Sequence, residues 1–331
     1  MIRPGTRERI EAAHRFGAFY RGYLASHYPM ALVSLDAMGA DDAVLDRFGA
    51  TYLSNLEPIE PAVVTIAPGD EAAHLGSPRA FPEWATYFNA AIAGEGMDAV
   101  LVRWTGRLLP AVAAGAFHGA IRTAYALEGG SPRELAHALA YWAAAYETLP
   151  EMPPASGKLS CDEVLAAVGR DPAFAASRPP GGNIIERTAA AARMPQLATH
   201  VASTDPARLD LDAIARALLR AYAASGNFTL LHGVTGTHAF RLLSAHASDA
   251  DASLGDLWSA LVAAYAGAGA PRVEGWGLGL AGADSLDWPA IHSRALDRED
   301  EHDIKLAYTC WREWQHRGDD LYRRAASARL A

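Results

Sequence analysis

Near the C-terminus, Asp300-Glu301-His302-Asp303-Ile304-Lys305-Leu306 sets a histidine and a lysine three residues apart. On a helix that spacing puts His302 and Lys305 on one face. Ile304, Leu306 and Ala307 beside them are apolar, while Asp300, Glu301 and Asp303 can face water. Burying an ammonium without a partner is expensive, and the usual escape is loss of its charge. Taken alone, the stretch has two readings. Either Lys305 snorkels to the surface beside an ordinary half-buried histidine, or the two residues share a site.

Twelve histidines are the compositional feature that asks for chemistry. His118 and His232 interrupt apolar helical patterns, and each is followed by a glycine, which lets another backbone or a ligand come close. Phe117-His118-Gly119-Ala120-Ile121-Arg122-Thr123-Ala124 resembles Leu231-His232-Gly233-Val234-Thr235-Gly236-Thr237-His238-Ala239, and a turn and a second helix follow each. His27 and His302 likewise precede apolar helical turns. Helical hairpins that each present one histidine near the start of the first helix would gather those rings inside. Chance in an alanine-rich helical chain is the alternative. As a set with His302 and Lys305, these histidines are explained most economically by a metal centre, since imidazole suits iron, copper and zinc. His14, His74, His137, His200, His246 and His316 read as solvated, while His238 and His292 find no place.

Arg122 lies one turn after His118, with Tyr125 next along the stripe. It either clamps a substrate carbonyl or phenolate, or pairs with a buried carboxylate. Arg122, Tyr125 and Thr235 are the candidate substrate contacts. HExxH and CxxC are absent. ExxH spacing occurs at Glu11/His14, Glu71/His74 and Glu134/His137, but a di-iron bundle needs two such pairs on core helices and further glutamates. Glu71 and His74 fall in a loop, and Glu134 reads as the third position of a capping box begun by Ser131. Gly277-Leu278-Gly279-Leu280-Ala281-Gly282 matches GxGxxG, yet no strand precedes it and no βαβ unit surrounds it, so a Rossmann-type nucleotide site is unsupported.

The elements that must position these residues read as helices throughout. Apolar stripes predict helices over 6–25, 29–38, 41–53, 82–93, 97–109, 111–127, 131–146, 160–169, 185–193, 209–224, 228–246, 251–266 and 284–296, with further helices over 299–331. Residues 57–82 and 148–183 read as long loops within one domain spanning 1–331, and 267–282 is glycine-rich. The expected fold is all-α, a single-domain multi-helix bundle of helical hairpins around a buried histidine-rich site. Half of the 331 residues are hydrophobic, which suits such a core. A net charge of −9 without a basic run argues against nucleic acid or an anionic membrane as partner. Cys161 and Cys310 are too few for a disulfide framework, no apolar signal core opens the chain, and no run reaches the ~20 residues of a membrane span. A cytoplasmic protein is the expectation; its oligomeric state is open.

The motif around His302 and Lys305, the His118–Leu127 segment, the Leu231–Thr235 segment and Glu134-Leu135-Ala136-His137-Ala138-Leu139 together resemble the questin oxidase-like family, over about 27–305. The resemblance implies an oxidoreductase acting with O2 on an aromatic polyketide or quinone-type small molecule. Part of that family is similar to non-haem iron dioxygenases whose Fe(II) is held by histidines and a carboxylated lysine. Carried onto this chain, the metal ligands are His27, His118, His232, His302 and Lys305, with His118, His232, His302 and Lys305 as the catalytic set. His27 rests only on its His-x-Pro-Met setting. Other members have been described as NADPH-requiring Baeyer–Villiger-type monooxygenases, which makes NADPH the cofactor of the alternative reading. A non-enzymatic helical ligand-binding protein and a hydrolytic zinc site are the remaining alternatives. A carboxylated Lys305 is chemically coherent, because a buried site beside a cation favours the neutral amine that carboxylation needs.

Overall fold

The computed structural model describes residues 2–22, 24–176, 182–247, 249–272 and 285–331. Within them run seventeen α-helices and one hairpin of two-residue strands, so the architecture is all-α. The glycine pattern at 277–282 lies outside the described residues. No helix among the described residues is long and apolar enough to cross a membrane.

Four helices position the histidines: Tyr28–Ala37, His118–Gly129, Phe228–Ser244 and Glu301–Arg317. In that order each packs on the next, and the last packs back on the first, which closes a ring. Each is also followed by a helix that folds back onto it: Asp42–Tyr52, Pro132–Ala144, Ala250–Gly267 and Asp320–Leu330. The expected hairpins are therefore real units of the fold. Their starts follow local chemistry. Asn227 accepts the N–H groups of Thr229 and Leu230, and Asp300 accepts that of His302, each relieving donors that a helix start leaves unpaired.

Three expectations fail for physical reasons. The helix over 6–25 stops at Ala12, and Phe19–Tyr20 pairs antiparallel with Leu24–Ala25 instead. Arg21 (φ 48°) and Gly22 (φ 86°) turn the hairpin, while Gly17 N–H donates to Glu57 O and Ile59 N–H to Arg15 O. Aromatics spaced like a helical stripe thus belong to a strand anchored on the 57–59 segment. The helix over 111–127 begins only at His118, because Gly115, Ala116 and Phe117 all take positive φ. Two of those three carry side chains, a local strain that persists only where surroundings enforce it. The enforcing contacts are visible: a Cβ on Gly236 would sit 3.1 Å from the Phe117 ring, so that glycine seats Phe117 against the His232 helix. The Ser131 capping box is only half formed. Ser131 Oγ accepts Glu134 N–H, but the Glu134 carboxylate turns inward.

Two buried ionic clusters brace the ring; the first overturns a sequence expectation, and the second places a histidine that the sequence left unplaced. Glu134 accepts from Arg122 Nε at 2.7 Å and meets His14 Nε2 at 2.8 Å, with His137 stacked on His14. His14 and His137 are thus buried, not solvated. Burial works against the Glu134 carboxylate, yet Arg122 and His14 hold its pKa down to about 2, while burial drives His137 down to about 3. The second cluster settles His238, whose Nδ1 lies 2.8 Å from Glu313 Oε1 and whose Nε2 lies 3.9 Å from Glu128; Arg241 also grips Glu313. Burial disfavours the His238 cation, but the two glutamates outweigh it and raise the pKa to about 9. Among the other histidines, His316 is exposed as expected, His74, His200, His246 and His292 are part-buried, and His292 packs against Trp311.

The glycines beside the histidines serve packing. A Cβ on Gly119 would lie 2.4 Å from Trp142 Cδ1, and one on Gly233 3.1 Å from Leu218 Cδ1. Gly119→Ala is expected to lower stability by about 1–3 kcal/mol in urea unfolding, because fully buried Trp142 has nowhere to yield. For His238, the folded pKa lies above the ordinary 6.5, so its contribution is complete below pH 6.5 and is lost as pH rises through about 9. Urea unfolding of His238→Asn is expected to show a larger loss near pH 6 than near pH 10, with the difference on the order of 1–3 kcal/mol.

Candidate metal centre

The ring of helices converges its N-terminal ends on four imidazoles. Ring centroids are 4.4 Å apart for His27–His118, 4.9 Å for His118–His232, 5.2 Å for His232–His302 and 4.7 Å for His302–His27. One nitrogen from each of His27, His118 and His302 falls within 4.8 Å of the others. Lys305 reaches the same place from the next turn after His302, its Nζ 3.3 Å from His27 Nδ1. It is 0 % exposed, so the snorkelling alternative is excluded.

Each of three rings has one nitrogen engaged on the outside. His118 Nδ1 lies 2.5 Å from Gly115 O, and the left-handed turn before the helix is what brings that carbonyl under the ring. His232 Nδ1 lies 2.8 Å from Phe228 O, one turn earlier. His302 Nδ1 lies 3.0 Å from Asp300 Oδ1. A carbonyl or carboxylate partner assigns the proton to Nδ1 and leaves the Nε2 lone pair free, which is how ligating histidines are oriented in metal sites. His118 Nε2 is buried with no hydrogen-bond partner. A buried lone pair in that condition can accept a hydrogen bond or bind a metal ion. His27 differs, because its Nδ1 faces Lys305 and lies 3.3 Å from Glu301 Oε1, while its backbone N–H donates to Tyr52 Oη at 2.8 Å.

The electrostatics point the same way. Burial, then neighbouring cationic groups, lowers the pKa values of His27, His118 and His232 far below the ordinary histidine value. Burial also lowers His302, against the opposing pull of Asp300. Lys305 is brought down to about 8 by burial, although Glu301 and Asp300 favour its cation. Neutral imidazoles beside an amine that sheds its proton readily form a donor set competent for a borderline divalent ion, and the set fits iron, copper or zinc better than a hard oxygen-seeking ion.

The structure separates the other candidates from this cluster. Arg122 takes the second of its two roles, as the partner of Glu134. Tyr125 Oη meets Thr309 Oγ1 at 2.9 Å and lies 3.4 Å from Lys305 O, bracing the lysine-bearing turn. Thr235 Oγ1 donates back to Leu231 O and His232 O within its own helix. Two residues the sequence reading passed over, Tyr52 and Phe228, touch the cluster, and so does Glu301, which that reading faced toward water. The Phe228 ring lies 4.8 Å from His232 and 4.6 Å from His302, yet the residue is 47 % exposed, so one aromatic ring stands between these imidazoles and solvent. Its spacing four before His232 was a readable signal of a shared helix face; the reach of Tyr52 to His27 was not.

A family model described as Questin oxidase-like matches residues 24–310, a span that holds all four ring histidines and Lys305. No curated protein matches the chain.

Proposed function

The chain belongs to the questin oxidase-like family, and from that premise we propose that it is a non-haem iron-dependent oxygenase acting with O2 on an aromatic polyketide or quinone-type substrate. The observation that carries the reading is the quartet of imidazoles, three buried and His302 part-buried, with an orphaned Nε2 on His118 and an enclosed Lys305 beside them. His27, His118, His232, His302 and Lys305 are the residues that would hold the ion. When bound, iron supplies the one-electron and dioxygen chemistry that amino-acid side chains lack.

The protein's own contribution is position, dryness and charge. Gly115 O, Phe228 O and Asp300 fix three of the rings, so little reorganisation is required of them. With a pKa near 8, Lys305 is substantially neutral at mildly alkaline pH. The neutral amine adds to CO2, an N–C bond forms, a proton leaves, and the side chain becomes an anionic oxygen donor on a longer stem than glutamate. The lysine would then balance part of the ion's charge in a largely buried site. Phe228 keeps bulk water off the His232–His302 side.

Elemental analysis of freshly purified protein is expected to find stoichiometric iron, lost in His118→Ala and in Lys305→Ala. Turnover should require Fe(II) and O2 and proceed without NADPH. Metal-free protein, or Lys305→Ala with unchanged metal and activity, would overturn the proposal. Asp300→Ala should weaken metal affinity by about 10–100-fold in competition with a chelator, because His302 loses the partner that orients it.

A further inference from the structure

Beside the histidine ring, a cavity of about 210 Å³ opens between the hairpin, the Asp42–Tyr52 helix and the start of the Glu301–Arg317 helix. Tyr20, Phe48, Thr51, Tyr52, Glu299 and Glu301 line it. Two of these residues also touch the candidate centre. Tyr52 Oη receives the backbone N–H of His27, and Glu301 Oε1 stands 3.3 Å from His27 Nδ1 and 3.6 Å from His302 Nδ1. Glu301 is thus a wall of the cavity on one side and a neighbour of the imidazoles on the other.

The lining has a definite chemical bias. Phe48 and Tyr52, stacked on each other 5.4 Å apart and largely buried, supply the aromatic part of the lining. Glu299 and Glu301 bring carboxylates, which as anions only accept hydrogen bonds. Arg21, from the hairpin turn, brings a guanidinium donor already tied to Asn55 at 2.9 Å. A planar ring carrying hydroxyls meets the carboxylates as a donor, and a ring carbonyl meets Arg21 as an acceptor. The volume is below the roughly 300–1,000 Å³ of cavities that enclose a drug-sized ligand, so it suits about one or two fused rings, with the rest of a larger molecule left outside.

We propose that this cavity is the substrate subsite of the centre, that it takes the hydroxyl- and carbonyl-bearing end of a planar aromatic molecule, and that Glu301 positions a ring hydroxyl toward the imidazoles. The inference rests on the metal-dependent reading above for its function, and on the lining residues for its location. The hairpin that replaces the expected helix after Ala12 delivers Tyr20 and Arg21 to this wall.

The probe is 7-hydroxycoumarin, a planar two-ring molecule with a phenolic hydroxyl that stays protonated at pH 6.5 and a ring carbonyl, titrated by calorimetry at that pH into purified full-length protein of measured metal content. Thr51→Trp and Asn55→Trp, from two exposed rim positions outside the donor set, should keep the metal and the melting temperature while weakening the probe by about tenfold or more through occlusion. Glu301→Ala should weaken it as well. Metal-replete wild type that fails to bind the probe, or binds it as tightly after both tryptophan substitutions, overturns the subsite. Protein lacking stoichiometric metal whose probe binding still falls in both tryptophan variants supports the subsite while the iron reading fails.

Discussion

Four imidazoles and one amine gathered in a largely buried space cannot all be charged, and most of this structure follows from that constraint. Each protonated group would raise the cost of protonating the next, and burial penalises every cation. The cluster eases the conflict by lowering every member: the four histidines lie below their ordinary pKa, and Lys305 falls to about 8, so its amine loses its proton at mildly alkaline pH. Neutral nitrogen donors with their far sides tied to Gly115 O, Phe228 O and Asp300 are preorganised Lewis bases.

The contrast with the other two polar clusters sharpens the point. Around Glu134 and around Glu313, the same helices bury charge by pairing it: Arg122 and His14 in one case, His238 and Arg241 in the other. Those are closed accounts of opposite charges, with pKa values driven toward full ionisation. Between them, the His27–His118–His232–His302 ring is lined mainly by groups that have given charge up. The first two clusters stabilise ions against burial; this one gathers nitrogen donors whose cationic forms burial disfavours.

Much of the arrangement was legible in the residues alone. The His302–Lys305 spacing, the likeness of the 118 and 232 segments and the Asn227 cap carried the helices and their inward-facing rings, because helix periodicity and capping are local effects. What escaped was set by contacts distant in sequence. The aromatics from Phe16 to Tyr20 look helical until the 57–59 segment pairs with their backbone. Glu134 satisfies a capping pattern until Arg122 and His14 claim its carboxylate from other helices. His14 and His137 look solvated because their burial depends on each other. The reach from Tyr52 to His27 joins a helix end to a backbone amide 25 residues earlier, and no periodicity encodes it.

The closed order of the ring has a temporal corollary. His27 and Lys305 touch across 278 residues of sequence, and each of the four histidines comes from a different hairpin. Loop closure on that scale is entropically among the latest contacts a chain can make, so no fragment assembled early, or emerging first from a ribosome, owns a complete donor set. Any ion that this quartet and Lys305 would hold could therefore be enclosed only once the two ends of the chain have met.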